Sequence, residues 1–260
     1  MSTGIERIAA AFEAADGHAA LMPYLMGGFP DLEASHAIGE AYADGGADLV
    51  ELGVPFSDPL ADGPVIHAAG TRALASGATV PAVIELAGAL ADRFPVVLMC
   101  YANLVLARGV ERFVDELASA DVSGLIIPDL PLEESPVVLA ACDAAGIALV
   151  PLVAPTTPEE RLARIGAQAR GFIYTVSVTG TTGERAELDP GALLARVHAH
   201  AAVPVALGFG IATPEQAAAA AAAGADGVIV GSRLVRAAAE GEDVRALVAE
   251  LAAALAADPV

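Results

Sequence analysis

Leu49-Val50-Glu51-Leu52-Gly53-Val54-Pro55-Phe56-Ser57-Asp58-Pro59-Leu60-Ala61-Asp62-Gly63-Pro64 is the stretch from which the rest of the chain is read. It opens as an apolar strand, Ala47 to Leu52, then breaks through Gly53 and Pro55 into a loop carrying Ser57, Asp58 and Asp62. A strand this apolar has both faces buried, as in a parallel sheet under helices. Glu51 stands at its end, between Val50 and Leu52. Alternate strand residues face opposite ways, so Glu51 points away from both neighbours. In a closed barrel that direction can be the interior mouth. Partial desolvation there raises a carboxyl pKa and suits the group to proton transfer near neutral pH. The residue also fits a structural part, as the cap of a backbone amide or the partner of an arginine.

Upstream, Ile5, Ile8, Ala9 and Phe12 recur at helical spacing and predict a short leading helix that plugs the bottom of a barrel. Ala19 to Met26 reads as the first strand, and Asp31 to Asp44 as a helix stopped by Gly45-Gly46. Downstream, helices are expected over His67 to Ser76, Val80 to Arg93, Val110 to Ala120 and Leu132 to Ala145. Strands are expected over Val96 to Tyr101, Gly124 to Pro128, Ala148 to Val153, Phe172 to Ser177, Val203 to Leu207 and Val228 to Val230. Thr157 is expected to cap a helix starting at Pro158, with Glu160 completing a capping box. Asp189-Pro190, Thr213-Pro214-Glu215-Gln216 and Gly231-Ser232 open the remaining helical regions.

Eight strand-helix units with short connections predict a (β/α)8 TIM barrel in the α/β class, with its active site on the loops after the strands. The expected organisation is one domain over residues 1–260 with an extra N-terminal helix. A doubly wound open sheet is the structural rival, but Gly27-Gly28 lacks the glycine spacing that fold needs.

The 260 residues are 55% hydrophobic, enough for a large core. A net charge of -20 argues against nucleic acid and anionic membrane surfaces as partners. All 13 basic residues are arginine, so lysine Schiff-base chemistry is excluded. Cys100 and Cys142 are isolated and the five histidines scattered, a pattern that speaks against a metal site. The first residues have no apolar signal core, and no stretch is long enough to span a bilayer, so a cytoplasmic protein is expected.

Two loops are long: Gly53 to Gly63 and Val178 to Leu188. The second, with Gly180, Gly183 and three nearby threonines, has the composition of a lid over a bound substrate. Gly208-Phe209-Gly210 follows the seventh strand, and Gly231-Ser232 follows the eighth. In barrels the loops after these two strands often bind phosphate. Glycine amides approach the anion closely, and a helix N-terminus adds a favourable dipole. Gly210, Gly231 and Ser232 are therefore the candidate phosphate site, with Gly183 as a further amide.

Taken together, Glu51 through Pro64, Met99-Cys100-Tyr101-Ala102-Asn103, Pro128-Asp129-Leu130-Pro131, the Tyr174 strand with its Thr-Gly loop, Gly208-Phe209-Gly210-Ile211 and Gly231-Ser232 resemble the tryptophan synthase alpha chain family. The resemblance covers essentially the whole chain. Its first motif is highly specific, whereas the glycine motifs are shared with other phosphate-binding barrels.

This resemblance implies retro-aldol cleavage of indole-3-glycerol phosphate to indole and D-glyceraldehyde 3-phosphate. It implies Glu51 as shuttling acid and base, Asp62 as acceptor of the indole N–H, and Tyr174 beside Glu51. Tyr24, Met99, Phe209 and Ile229 are implied walls of the indole pocket. It also implies a pyridoxal-phosphate beta subunit in an α2β2 tetramer, met through Asp58, Pro59, Asn103, Leu104 and Asp129, with no cofactor in this chain. Two departures stand out. Val178 and Thr179 occupy positions where some members carry arginine, and Tyr24 stands where phenylalanine is familiar. Another phosphosugar barrel of isomerase type would share the glycine motifs but lack the Ser-Asp-Pro-Leu-Ala-Asp-Gly loop. A non-catalytic barrel partner would have no need of Glu51, Asp62 and Tyr174 together.

Overall fold

Apolar strands alternate with helices from end to end in the computed structural model, which describes residues 2–15, 17–176, 189–208 and 210–257. The order begins α1 (Gly4–Ala14), β1 (Ala20–Met26), α2 (Leu32–Asp44), β2 (Val50–Gly53), α3 (Pro64–Ala75), α4 (Val80–Leu90), β3 (Val96–Met99). It continues α5 (Ala102–Arg108), α6 (Val110–Ser119), β4 (Gly124–Ile126), α7 (Pro136–Ala145), β5 (Ala148–Leu149), β6 (Leu152–Val153), α8 (Glu159–Gln168), β7 (Ile173–Val176). It ends α9 (Pro190–His198), β8 (Val205–Gly208), α10 (Pro214–Ala222), β9 (Gly227–Val230), α11 (Ser232–Glu240) and α12 (Val244–Ala256).

Neighbouring strands pair in parallel in the order β5-β4-β3-β2-β1-β9-β8-β7-β6. The two ends of that list are halves of one strand, separated by Val150-Pro151. Val150 N–H donates to Leu125 on one side, and the Pro151 carbonyl accepts from Tyr174 on the other. Proline has no N–H to give the ladder, so the hydrogen bonding is interrupted there while the barrel still closes. The eight-stranded barrel expected from the sequence is the observed fold.

Strand residues partition by parity. Leu21, Leu25, Val50, Leu52, Val96, Leu98, Ile173, Val205, Leu207, Val228 and Val230 pack outward beneath the helices. Ala20, Met22, Val97, Ile126, Ala148, Phe172, Tyr174, Ala206 and Ile229 fill the interior. Ile5, Ile8, Ala11 and Phe12 of α1 join that interior cluster, so the leading helix does plug the barrel. Phe12 and Phe172 lie with ring centroids 5.7 Å apart.

Several local expectations change. Ala47 to Leu49 precede the focal strand, which begins at Val50, because Asp48 is drawn back onto the Leu21 N–H at 2.8 Å. A helix the sequence pattern did not suggest, α5, follows β3, and the Asp129 carboxylate accepts from its first N–H, that of Ala102, at 2.8 Å. Thr157 makes no capping box. Pro158 is the N-cap of α8, and the Thr157 hydroxyl turns back to accept from Ala154 N–H at 3.0 Å. The helix expected from Leu132 begins at Pro136. The cap at Thr213 forms as read, Asp189 caps the helix that Asp189-Pro190 was expected to open, Asp31 is the N-cap of α2 rather than its first residue, and Thr3 with Glu6 adds a capping box on α1. Among the described residues no single helix is long and apolar enough to cross a membrane.

Candidate active site

The pleat fixes the direction of Glu51. Its neighbours Val50 and Leu52 lie under the outer helices, so its carboxyl enters the barrel. Register sets Glu51 beside Tyr24 on β1 and Val97 on β3. Only 1% of Glu51 is exposed, and its Oε2 has no hydrogen-bond partner among the described residues. An unmet buried polar atom costs about 1–3 kcal/mol. Burial, reinforced by the negative charge of Asp62, raises the Glu51 pKa to about 8. The group is thus a neutral acid near pH 7 and becomes a base once it has given up its proton.

Asp62 reaches the same mouth from the loop after β2 and is held differently. The Tyr101 hydroxyl donates to Asp62 Oδ1 at 2.6 Å and accepts from Ala61 N–H at 3.0 Å. Phe56 packs on the Tyr101 ring at 5.4 Å between centroids. Burial raises the Asp62 pKa, while the Tyr101 hydrogen bond and His67 pull it down. Tyr101 is the site residue that sequence reasoning missed. It lay inside the Met99-Cys100-Tyr101-Ala102-Asn103 motif, but nothing local shows that its hydroxyl crosses to another loop.

Two tyrosines face the interior in one recurring arrangement. Tyr24 is in register with Glu51, and Tyr174 is in register with Ala206. Each ring reaches over the glycine two residues further along the neighbouring strand. A Cβ on Gly53 would sit 2.0 Å from the Tyr24 hydroxyl, and one on Gly208 would sit 2.5 Å from that of Tyr174. Any larger residue at either position would displace the ring. Burial, then Glu51 and Tyr24, keep the Tyr174 phenol protonated.

Met99 stands between the interior cluster and a second cluster of Tyr24, Met26 and Phe29 at the mouth. Ile229 lies deeper, opposite Met22 on β1. Phe209 and Gly183 lie outside the described residues, as does the loop of residues 178–188. Gly210 has φ of +87°, and no atom stands within 4 Å of where its Cβ would be. Gly231 is the N-cap of α11 and Ser232 its first residue, and no side chain caps that helix. Its first N–H groups therefore face the mouth side of the barrel open to an acceptor.

On the rim, Asp58 and Asn103 are exposed, and Pro59, Leu104 and Asp129 are half-buried. The Ser57 hydroxyl donates to Asp58 Oδ2 at 2.6 Å. Leu60 and Leu106, 80% and 63% exposed, stand on the same rim and were not singled out from sequence.

A family model described as tryptophan synthase alpha chain matches residues 11–257. The tryptophan synthase alpha chain of Prochlorococcus marinus (strain MIT 9313) is 51% identical over 226 residues, covering 85% of this chain and 82% of its own. That of Methanosarcina mazei is 50% identical over 227 residues, covering 86% and 83%. A structure of Mycobacterium tuberculosis tryptophan synthase superposes with a TM-score of 0.91 at 40% identity, covering 99% of this chain and 100% of that one. A structure described as the tryptophan synthase α2β2 complex of Pyrococcus furiosus has a TM-score of 0.81 at 33% identity, covering 90% and 97%.

Proposed function

The chain belongs to the tryptophan synthase alpha chain family, lyases of tryptophan biosynthesis, and from that premise we propose which residues carry its reaction. The substrate is indole-3-glycerol phosphate. Glu51, as a neutral acid, delivers its proton to the ring carbon that bears the glycerol chain, and positive charge spreads toward the ring nitrogen. Asp62 accepts the N–H hydrogen bond and stabilises that cation. The Glu51 carboxylate then takes the proton of the adjacent glycerol hydroxyl. The oxygen lone pair becomes the carbonyl of glyceraldehyde 3-phosphate, the carbon–carbon bond breaks, and its electron pair restores aromatic indole. Two carboxyls with different surroundings hold different protonation states, which this sequence of transfers requires.

The observation that carries this reading is the buried, partnerless oxygen of Glu51 beside a second carboxyl already held by Tyr101. Tyr174 lines the site beside Glu51. Tyr24, Met99, Ile229 and Phe209 wall the indole, and Gly210, Gly231, Ser232 and Gly183 bind the phosphate. The protein works as one domain in the cytoplasm, without a cofactor of its own. Its partner is a pyridoxal-phosphate beta subunit, which receives indole in an α2β2 tetramer. Asp58, Pro59, Asn103, Leu104 and Asp129 form the contact. The exposed rim and the α2β2 assembly of the Pyrococcus furiosus relative support that contact.

The test is indole release from indole-3-glycerol phosphate, with and without a beta chain. Native protein is expected to release indole, faster with the partner, and Glu51→Gln to release none while still binding substrate. Turnover by Glu51→Gln at the native rate would remove the assigned acid.

A further inference from the structure

Resting on the reaction proposed above, we infer that the Tyr24 hydroxyl is a further catalytic group, donating a hydrogen bond to the glycerol oxygen that becomes the aldehyde carbonyl.

Tyr24 is 6% exposed, and among the described residues its hydroxyl has one hydrogen-bond partner, the Met26 Sδ at 3.9 Å. A thioether is a weak acceptor, so the phenol is left nearly unmet inside the barrel. Glu51, its partner in register, carries a buried oxygen that has no partner among the described residues. The two make no hydrogen bond to each other. A phenol held only by a thioether and a carboxyl oxygen without a partner, on adjoining strands of the barrel interior, point to a polar atom that arrives with the substrate.

The course of the ring shows which atom that is. The stem of Tyr24 lies against Gly231, whose Cβ would stand 3.5 Å from Tyr24 Cβ. The far end of the ring covers Gly53, two residues beyond Glu51 on the same interior face. Tyr24 therefore runs from the phosphate-binding turn to the acid. The glycerol chain of the substrate has to bridge the same two points. Its hydroxyl next to the breaking bond is the one that Glu51 deprotonates, and the phenol tip ends over Gly53, two residues beyond that acid on the same strand. As the proton leaves for Glu51, negative charge grows on the oxygen, and a fixed buried donor stabilises it most in the transition state. Burial, then the charges of Asp62 and Glu51, keep the phenol protonated and so able to donate.

The experiment measures kcat and KM for indole release by Tyr24→Phe, with Glu51→Gln in parallel. The expected result is a fall in kcat of about a hundredfold, the scale for removing one donor from a developing oxyanion. KM stays within about twofold, because the bond forms chiefly in the transition state. Fluorotyrosine at position 24 keeps the hydroxyl and is expected to restore kcat to within about threefold of native. A Tyr24→Phe protein with native kcat, alongside inactive Glu51→Gln, overturns this inference and leaves the acid assignment standing. Failure of fluorotyrosine to recover any rate, in a variant that melts at the native temperature, overturns it as well. Native turnover by Glu51→Gln overturns the underlying reading and this one with it.

Discussion

The two ends of the barrel interior are built from the same strands but obey different rules. At the closed end, Ile8 and Phe12 of α1 meet Met22, Val97, Ala148 and Phe172, and the cluster is apolar. At the open end the same parity of residues gives Tyr24, Glu51 and Tyr174, with a buried carboxyl oxygen that has no partner among the described residues. The first arrangement stabilises the fold through burial, at about 25 cal/mol for each Å² of apolar surface. The second gives up stability to hold a neutral acid in readiness. Strain and unmet polarity gather where a protein acts on something else.

That contrast can be broken by exchanging what each end needs. The largest effect is expected from Glu51→Gln, which removes the transferable proton and should lower kcat at least about a thousandfold, a general acid and base acting in both half-steps. Measured in the same protein, stability should not fall. A denaturation series showing Glu51→Gln destabilised by several kcal/mol would mean that the acid is structural. At the other end, Ile8→Ala should cost about 2–5 kcal/mol in chemical denaturation while kcat, measured well below the melting temperature, stays native. A proportionate loss of kcat there would erase the distinction between the two ends.

Tyr101→Phe sharpens the comparison within the mouth. It frees Asp62 from its hydrogen bond, so kcat should fall about tenfold, the worth of one hydrogen bond to a charged group, and melting should barely change. An unaltered rate would show that Asp62 needs no fixing. The smallest expected effect concerns pH. The Glu51 pKa is raised from 4.5 to about 8 in the folded protein. Between those values the unfolded chain holds fewer protons than the native one, so this group makes stability fall as pH rises, by roughly 1 kcal/mol per unit. Below 4.5 and above about 8 its contribution is level. Subtracting the Glu51→Gln curve from the native curve should isolate that slope, and parallel curves would contradict the shift.

The legible parts of this molecule were those written in local chemistry. Parity along each strand, the cap at Thr213 and the helix opening at Asp189-Pro190 are local signals, and they formed as read. The Glu51 direction followed from its two apolar neighbours. The pieces that were not legible depend on distant partners. Helix α5 is supported by Asp129, which is 27 residues away in sequence from the amide it accepts. Thr157 had the right spacing for a cap, yet the Ala154 amide, three residues back, took its hydroxyl. Tyr101 became part of the site because a loop some 40 residues earlier returned to it.

By itself the sequence determined the barrel, its plug and the inward direction of Glu51, because side-chain period and strand-helix alternation are properties of consecutive residues. Tertiary structure alone decided how acidic that acid is and what surrounds it. A pKa near 8 arises from removing water and bringing up Asp62, and neither condition exists until the strands have closed into a ring. The same closure laid Tyr24 across Gly53, since only a neighbouring strand held in that register offers a place without a side chain.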